Sequence, residues 1–244
     1  MTTSLDPRAL SRLHDAMHAH VTAGRVPGVV TFVSRGDELH IDAVGTQSLD
    51  GVPMSYDTIF RISSMTKPVV AVAALQLVEE GVLALDDPID GWLPELAGRR
   101  VLRPGARDLD DTEPAARPIT LRDLLTFRMG HGIVMAAPGE SPIGDAYQAL
   151  QLGQGAPAPD VPPATDEWLR RLGTLPLQHQ PGAAWRYHTG ADVLGALIER
   201  ATASTLDVAL ADRVLGPLGM TDTAFAVPPA KCGRFATQYV TDAT

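Results

Sequence analysis

The sequence predicts a mixed fold in which a small strand-containing part precedes a mainly helical remainder. Two adjoining segments near the N-terminus, residues 28–34 and 38–45, carry strand patterns, whereas helical patterns fill most of the sequence after residue 64. The chain has 244 residues, of which 45% are hydrophobic, so it can bury a substantial core as one large domain or two interleaved ones. This imbalance between strands and helices is the most useful clue to the architecture.

Composition and charge argue against several classes of protein. A net charge of -9 and a pI near 5.1 are unfavourable for binding nucleic acid or an anionic membrane. The single cysteine, Cys232, excludes an internal disulfide. Residues 1–6 show neither the basic nor the apolar region of a signal peptide, and no apolar run reaches the ~20 residues of a membrane span. We therefore expect a cytoplasmic protein without nucleic-acid or membrane partners, unless an export segment has been removed.

Residues 7–23 are predicted to form an amphipathic helix with Ser4 or Asp6 as its N-cap. Its apolar face consists of Leu10, Leu13, Met17 and Val21. On the same helix, His14 and His18 imitate the spacing of the zinc motif H-E-x-x-H, but an aspartate replaces the glutamate that would act as general base. No third ligand is evident nearby, so we interpret both as solvated histidines beside the apolar face and predict no metal and no cofactor.

The two predicted strands are joined by a glycine-containing turn at residues 35–37, which indicates a hairpin. Residues 28–34 are almost continuously apolar, as expected for a strand covered on both faces. The second strand alternates between an apolar face and a polar face. The apolar face carries Leu39, Ile41 and Ala43, and the polar face carries His40 and Asp42.

The rest of the chain is predicted to be helical or irregular. Residues 120–123 resemble a capping box that opens a short helix over 121–127. Residues 129–165 are rich in glycine, proline and alanine, with a possible helix over 146–152, and loops of this length are usually functional or disordered. We expect this segment to be a lid or a substrate-facing insertion. Further helices are predicted over residues 166–172, ended by Gly173, and over 191–201 and 206–214.

The central stretch is Ser63-Ser64-Met65-Thr66-Lys67-Pro68, followed by an apolar run over residues 69–78. Positions three apart share a helix face, so the Ser64 hydroxyl and the Lys67 amine can meet. A serine needs a neighbouring base, and a lysine serves only if burial or nearby positive charge lowers its pKa. The run predicts a helix that is buried all round, and Gly81 suits its left-handed end. A lone S-x-x-K has a simpler alternative, a capping serine with a surface lysine.

Several motifs in the same order resemble the serine β-lactamase and penicillin-binding-protein superfamily. They lie in the branch of class C β-lactamases, D,D-peptidases and β-lactamase-like (family VIII-type) esterases. The matching segments are residues 60–67, 81–88, 120–126, 181–182 and 217–220, together with Tyr187. The resemblance covers about residues 27–225. It implies a β-lactamase/transpeptidase-like fold, with an α/β domain whose antiparallel sheet is flanked by helices, an all-α domain, and a site in the cleft between them.

The resemblance also implies a division of the chain. Residues 1–64 would supply the N-terminal part of the α/β domain, as a helix and a β-hairpin. Residues 65–225 would form a mainly helical domain that contains the insertion over 129–165. Residues 226–244 would return toward the α/β domain.

The same resemblance implies roles for three side chains. Ser64 would be the acylated nucleophile and Lys67 its proton partner, and the backbone N–H of Ser64 would form half of the oxyanion hole. Tyr187 matches the tyrosine of the Y-x-N or Y-S-x motif, which shares or relays the proton. A tyrosine beside a lysine ammonium can have a lowered pKa. Taken without Ser64 and Lys67, Tyr187 would be interpreted as a core aromatic residue.

One departure from the motif affects the expected substrate. Penicillin-recognising members carry asparagine where this chain has Thr189, and threonine poorly replaces the donor and acceptor of an amide. We therefore expect a carboxylesterase acting on small or short-chain esters, with a β-lactamase or D,D-peptidase acting on amides as the second interpretation. A triad based on His188 is a third, but no G-x-S-x-G elbow surrounds any serine. From another class, the chain could be a catalytically inactive binding paralogue.

The family's third motif, a K-T-G, H-x-G or W-G-G segment that supplies the second oxyanion donor, is not found before Thr244. The nearest pattern, Lys231-Cys232-Gly233, follows two prolines and is interpreted as a loop. No later strands pair with the hairpin, and an isolated hairpin is marginal in water. We expect residues 1–244 to be about the first two thirds of a nicked, split or longer enzyme, with the remainder in a companion polypeptide.

Overall fold

The computed structural model divides the chain into two compact units and describes residues 4–49, 51–153 and 161–239. The first unit contains residues 1–62 and 224–244, and the second contains residues 63–223. All three predicted site residues, Ser64, Lys67 and Tyr187, belong to the second unit.

The first unit consists of one helix, one hairpin and a returning segment. Helix α1 (Pro7–Thr22) begins after Asp6, whose Oδ1 accepts a hydrogen bond of 2.9 Å from the N–H of Arg8. Strands β1 (Gly28–Arg35) and β2 (Glu38–Gly45) pair antiparallel from Gly28↔Gly45 to Arg35↔Glu38. The turn places Gly36 at φ +58°, a left-handed conformation that glycine adopts without steric cost. The predicted helix and hairpin are confirmed, with Asp6 as the cap.

The two faces of the hairpin are not covered as predicted. Helix α1 packs against β2, and His14 Nδ1 lies 2.7 Å from Asp42 Oδ2. The polar face of β2 is therefore the covered one, whereas Leu39 and Ile41 are exposed. Phe32 on β1 is 64% exposed, so the expectation of a strand covered on both faces is wrong. The His14 side chain is 48% exposed, as expected for a solvated histidine, and its contact with Asp42 was not predicted.

The segment that closes the first unit contains a 3₁₀ helix, Pro229–Arg234. After it, Phe235 bridges Ile59, and the N–H of Ile59 donates to the carbonyl of Arg234 at 2.7 Å. Residues 231–233, which we interpreted as a loop, therefore lie inside a 3₁₀ helix.

The second unit is mainly helical. Its helices are α2 (Thr66–Glu79), α3 (Leu121–Leu125), α4 (Pro142–Ala149), α5 (Thr165–Thr174), α6 (Thr189–Thr202) and α7 (Leu206–Leu210). Short 3₁₀ turns cover Ser63–Met65, Ile89–Gly91 and Pro94–Leu96, and a π-helical turn covers Ala211–Leu215. Strands β3 (Arg100–Leu102) and β4 (Thr112–Pro114) form a separate antiparallel pair. The prediction that strands occur only near the N-terminus is therefore wrong.

Helix α6 is the centre of the second unit, because α2 and α3 both pack against it. The core contains Ala73, Ala74 and Leu77 from α2 and Val193, Leu194 and Leu197 from α6. Only one side of α2 is covered, since Val72 is 46% and Leu75 is 43% exposed. The expectation that this helix is buried all round is therefore wrong.

Two predicted glycine stops behave differently. Gly81 follows α2 at φ +73°, and the N–H of Val82 donates to the carbonyl of Leu77 at 2.9 Å, as predicted for a left-handed helix end. Gly173 lies inside α5 instead of ending it. A Cβ at this position would be 2.4 Å from the carbonyl oxygen of Glu95, so glycine permits a close approach.

The capping box of α3 is confirmed, with Asp123 at its centre. Its carboxylate accepts hydrogen bonds of 3.0 Å from both the N–H and the hydroxyl of Thr120, and it pairs with Arg117. Burial raises the pKa of Asp123, but hydrogen bonds from Arg117 and Thr120 outweigh it, so the pKa lies below its usual range.

We expect Asp123→Ala to lower the free energy of unfolding by about 2 kcal/mol, since it removes the cap and unpairs Arg117. Because the folded pKa lies below the unfolded value of about 3.9, this stabilisation is complete above that value and is lost as the pH falls through the folded pKa. Urea unfolding at pH 7 and pH 3 measures both effects, with the exposed Asp87→Ala as control. Equal midpoints for the two variants at pH 7 would contradict the prediction.

Candidate active site

Ser64 lies in the 3₁₀ turn Ser63–Met65, directly before α2. It therefore lies just outside the helix, at its N-terminal end. Ser63 has φ +42°, a left-handed conformation that is uncommon for a residue other than glycine and often occurs at functional sites. This turn leaves the Ser64 side chain exposed at the N-terminal end of the helix.

Lys67 contacts Ser64 as the S-x-x-K spacing predicts. Its Nζ donates a hydrogen bond of 3.2 Å to Ser64 Oγ. Lys67 is only half-buried and Ser64 is exposed, so the buried environment that we expected around the pair is not observed.

Tyr187 joins this pair from the beginning of α6. Lys67 Nζ lies 5.0 Å from the centre of the Tyr187 ring. Hydrogen bonding with Ser64 is the main cause that holds the pKa of Tyr187 below its usual value; desolvation opposes it as the second-largest effect, and the charge of Lys67 adds a smaller lowering. The structure thus brings together the three side chains that the sequence singled out.

Two aromatic residues that the sequence analysis missed surround Tyr187. The Trp185 ring is nearly parallel to the Tyr187 ring, with centres 5.8 Å apart, and Phe127 lies 5.5 Å away on a tilted plane. Trp185 is 60% exposed, so it forms an apolar wall beside the site. The sequence could have indicated Trp185, because it lies two residues before Tyr187 on an extended segment, where such residues point to the same side.

The residues that follow Tyr187 have distinct environments. His188 has φ +90° and places its Nε2 3.5 Å from Asp192 Oδ2, a neighbour that the sequence analysis did not identify. Thr189 is 1% exposed and belongs to the core. The side chain at the position of the family's asparagine therefore points away from solvent.

Arg99 and His131 form a buried polar cluster in the second unit. Arg99 is 8% exposed and donates to the carbonyls of Leu172 and Leu175 at the end of α5. Next to it lies His131, which is fully buried, and burial together with the charge of Arg99 lowers its pKa to about 3. His131 is therefore neutral near pH 7, which suits a site beside a guanidinium.

Much of the predicted insertion over residues 129–165 is anchored in the core. Met129, Ile143, Tyr147 and Leu152 are all buried. Residues 154–160 of this segment lie outside the described residues.

The family model described as Beta-lactamase matches residues 13–244. The chain belongs to the beta-lactamase family. Esterase EstB of Burkholderia gladioli is 39% identical over 246 residues, which cover 97% of this chain and 58% of that protein. An uncharacterized protein of Mycobacterium tuberculosis is 46% identical over 222 residues, which cover 90% of this chain and 53% of that protein. The chain thus spans about half the length of these relatives.

A solved structure confirms the predicted β-lactamase/transpeptidase-like fold. EstCE1, described as a hydrolase with promiscuous acyltransferase activity, is similar with a TM-score of 0.75 at 28% identity. The match covers 94% of this beta-lactamase family chain and 56% of that one. Within the described residues, no helix has both the length and the apolar character needed to span a membrane.

Substitution of Gly132 tests whether the backbone packed against residues 186–187 holds Tyr187 in place. A Cβ at this position would lie 2.5 Å from Arg186 Cβ and 2.7 Å from the carbonyl oxygen of Tyr187. Gly132→Ala should therefore displace Tyr187, and we expect kcat for the reaction catalysed at this site to fall about 10²-fold, the scale of a misplacement near 1 Å. Kinetics of the full-length protein measure the effect.

The matched control is Gly91→Ala, because a Cβ there meets no atom within 4 Å. Circular dichroism should show that both variants are folded. Equal kcat values for the two variants would mean that the segment of Gly132 does not position Tyr187.

Proposed function

We propose that this beta-lactamase family chain carries the nucleophile of a serine hydrolase that works through an acyl-enzyme. The preferred activity is that of a carboxylesterase on small or short-chain esters. The observation that carries the proposal is the 3.2 Å contact between Lys67 Nζ and Ser64 Oγ, with Tyr187 beside both.

In the acylation step, Tyr187 acts as the base. Its lowered pKa increases the fraction of phenolate, and the Lys67 ammonium stabilises that phenolate while it donates to Ser64 Oγ. The phenolate takes the hydroxyl proton as Oγ attacks the ester carbonyl. The C–O bond to the alcohol then breaks, and Tyr187 returns the proton to the leaving alkoxide, so an acyl-Ser64 ester and a free alcohol result.

The position of Ser64 before α2 favours the charged intermediate. The positive end of a 14-residue helix stabilises an oxyanion close to it, and the backbone N–H of Ser64 supplies one donor. In deacylation, Tyr187 takes a proton from water, whose oxygen attacks the acyl carbon. Ser64 Oγ then leaves and recovers the proton.

Hydrolysis of an ester is favoured over that of a β-lactam by Thr189. With 1% exposure, its hydroxyl is not available to a substrate amide, which the family's asparagine would bind. The name of the relative EstB, an esterase, supports the same choice. β-Lactamase or D,D-peptidase activity remains the second candidate.

Acyl transfer is a further candidate, because Ser64 is exposed and an alcohol can take the place of water in deacylation. The description of EstCE1 as a hydrolase with promiscuous acyltransferase activity supports it. Adding a primary alcohol to the ester assay separates the two outcomes, since transfer yields a new ester and hydrolysis yields only acid.

We expect Ser64→Ala to abolish hydrolysis of p-nitrophenyl esters and labelling by an active-serine phosphonate, since it removes the oxygen that is acylated. Lys67→Ala should cost about as much as Ser64→Ala, and the double variant little more, because the residues act as a unit. The assay compares esters of increasing chain length with a chromogenic cephalosporin.

Ser63→Gly is the matched control, because it removes a neighbouring hydroxyl and glycine accepts the observed φ of +42°. Labelled, hydrolytically active Ser64→Ala protein would refute the assignment of the nucleophile. A wild-type protein that neither reacts with phosphonate nor hydrolyses any ester would favour the inactive binding paralogue.

Tyr187→Phe should lower kcat about 10²-fold, the scale of losing a positioned proton-transfer group. In the wild type, kcat/KM should rise with pH through the pKa of Tyr187, with a midpoint below the ordinary tyrosine value, because the phenolate is the active form. This limb should disappear in the variant. Tyr56→Phe changes an exposed tyrosine and serves as control, and a Tyr187→Phe protein with unchanged kcat would return Tyr187 to a packing role.

A further inference from the structure

We propose that a pocket beside Trp185 binds a carboxylate of the substrate, so that the preferred esters are half-esters of dicarboxylic acids. The arginine pocket, as we name it, has a volume of about 460 Å³ and is lined by Arg117, Arg122, Asp123, Thr126, Arg128, Gly182 and Trp185. This inference rests on the proposed function, since the bound group is the far end of an acyl chain attached to Ser64.

Backbone hydrogen bonds fix the two walls of the arginine pocket. The N–H of Gly182 donates to the carbonyl of Arg128 at 2.8 Å, and the N–H of Arg186 donates to the carbonyl of Phe127 at 2.7 Å. Arg128 and Trp185 therefore stand on paired segments with a constant separation. A binding site whose backbone is already ordered loses less entropy when a ligand enters.

The charges of the pocket are unbalanced in favour of an anion. Arg117 holds Asp123 with two hydrogen bonds of 2.5 and 2.8 Å, and Arg122 holds Asp86 with two of 2.7 and 2.8 Å. Both guanidinium groups are already neutralised by a carboxylate.

Arg128 is the guanidinium that is left over. It is exposed, and across residues 4–49, 51–153 and 161–239 no ion pair to its side chain is observed. Its planar fork can bind a carboxylate with two parallel hydrogen bonds. The arginine pocket therefore carries excess positive charge, although the net charge of the chain is -9.

Trp185 connects the pocket to the reacting groups. Its ring lines the pocket and lies parallel to Tyr187 at 5.8 Å between centres. An acyl chain on Ser64 can therefore run along an exposed apolar ring, with its carboxylate at Arg128. This arrangement requires an apolar spacer of several methylene groups between the ester and the acid.

The test compares esters that differ only in charge. Mono-p-nitrophenyl adipate and suberate carry a free carboxylate, and their methyl p-nitrophenyl diesters are neutral. We expect the full-length wild type to prefer the acids, and Arg128→Gln to lower the ratio of kcat/KM for acid over diester about ten-fold, mainly through KM, the size of a lost hydrogen bond to a charged group. Arg128→Lys should keep part of this preference, and added salt should reduce it.

Arg107→Gln is the matched control, because Arg107 is also exposed and does not line the pocket. We expect its ratio to stay within about two-fold of the wild type. Equal ratios for Arg128→Gln and Arg107→Gln, or no preference in the wild type, would overturn the inference while hydrolysis of the diesters still supports the proposed function. Failure of the wild type to hydrolyse any of the esters would overturn both.

Discussion

The packing of α2 against α6 is the constraint on which the candidate site depends. Lys67 belongs to the first turn of α2, and Tyr187 lies two residues before the start of α6, so these groups meet only because the two helices lie side by side. Fully buried Ala73 and Ala74 keep the helices close. Gly190 permits a similar close approach between α6 and α3, where a Cβ would lie 3.1 Å from the carbonyl oxygen of Leu124. A larger residue at these places would separate the groups before it destroyed the fold.

The same packing gives the site its electrostatic character. Two helices begin at the site, and the positive ends of their dipoles add to the charge of Lys67. Such a field favours a phenolate on Tyr187 and an oxyanion on the substrate. The buried Arg99 lies at the C-terminal end of α5, where backbone carbonyl groups accept its hydrogen bonds in place of a carboxylate. Lys67 and Arg99 thus lie where a reacting group or the backbone accepts their hydrogen bonds.

Features set by local chemistry could be predicted from the sequence, and features set by distant contacts could not. The Ser64–Lys67 contact, the left-handed Gly81 and the capping box of Asp123 each depend on a few consecutive residues. Burial of Thr189 depends on how α6 enters the core, and the sequence cannot show that. Tyr187 was identified only through a family motif, because no local pattern joins it to Ser64. The short β3 and β4 form because their pairing partners are brought together by the fold, since three residues carry too little periodicity to predict a strand.

In the proposed acyl-enzyme mechanism, the exposure of the site would decide which reaction follows acylation. Ser64 is exposed and Trp185 is 60% exposed, so the described side chains of this unit leave the acyl group accessible to water and to alcohols. Hydrolysis and acyl transfer then share one intermediate and differ only in the group that reaches it. An alcohol that binds the wall of Trp185 would gain a high effective concentration over water. Under the proposed function, the choice between esterase and acyltransferase would therefore depend on the affinity of this wall for an acceptor, and Ser64, Lys67 and Tyr187 would perform the same chemistry in both reactions.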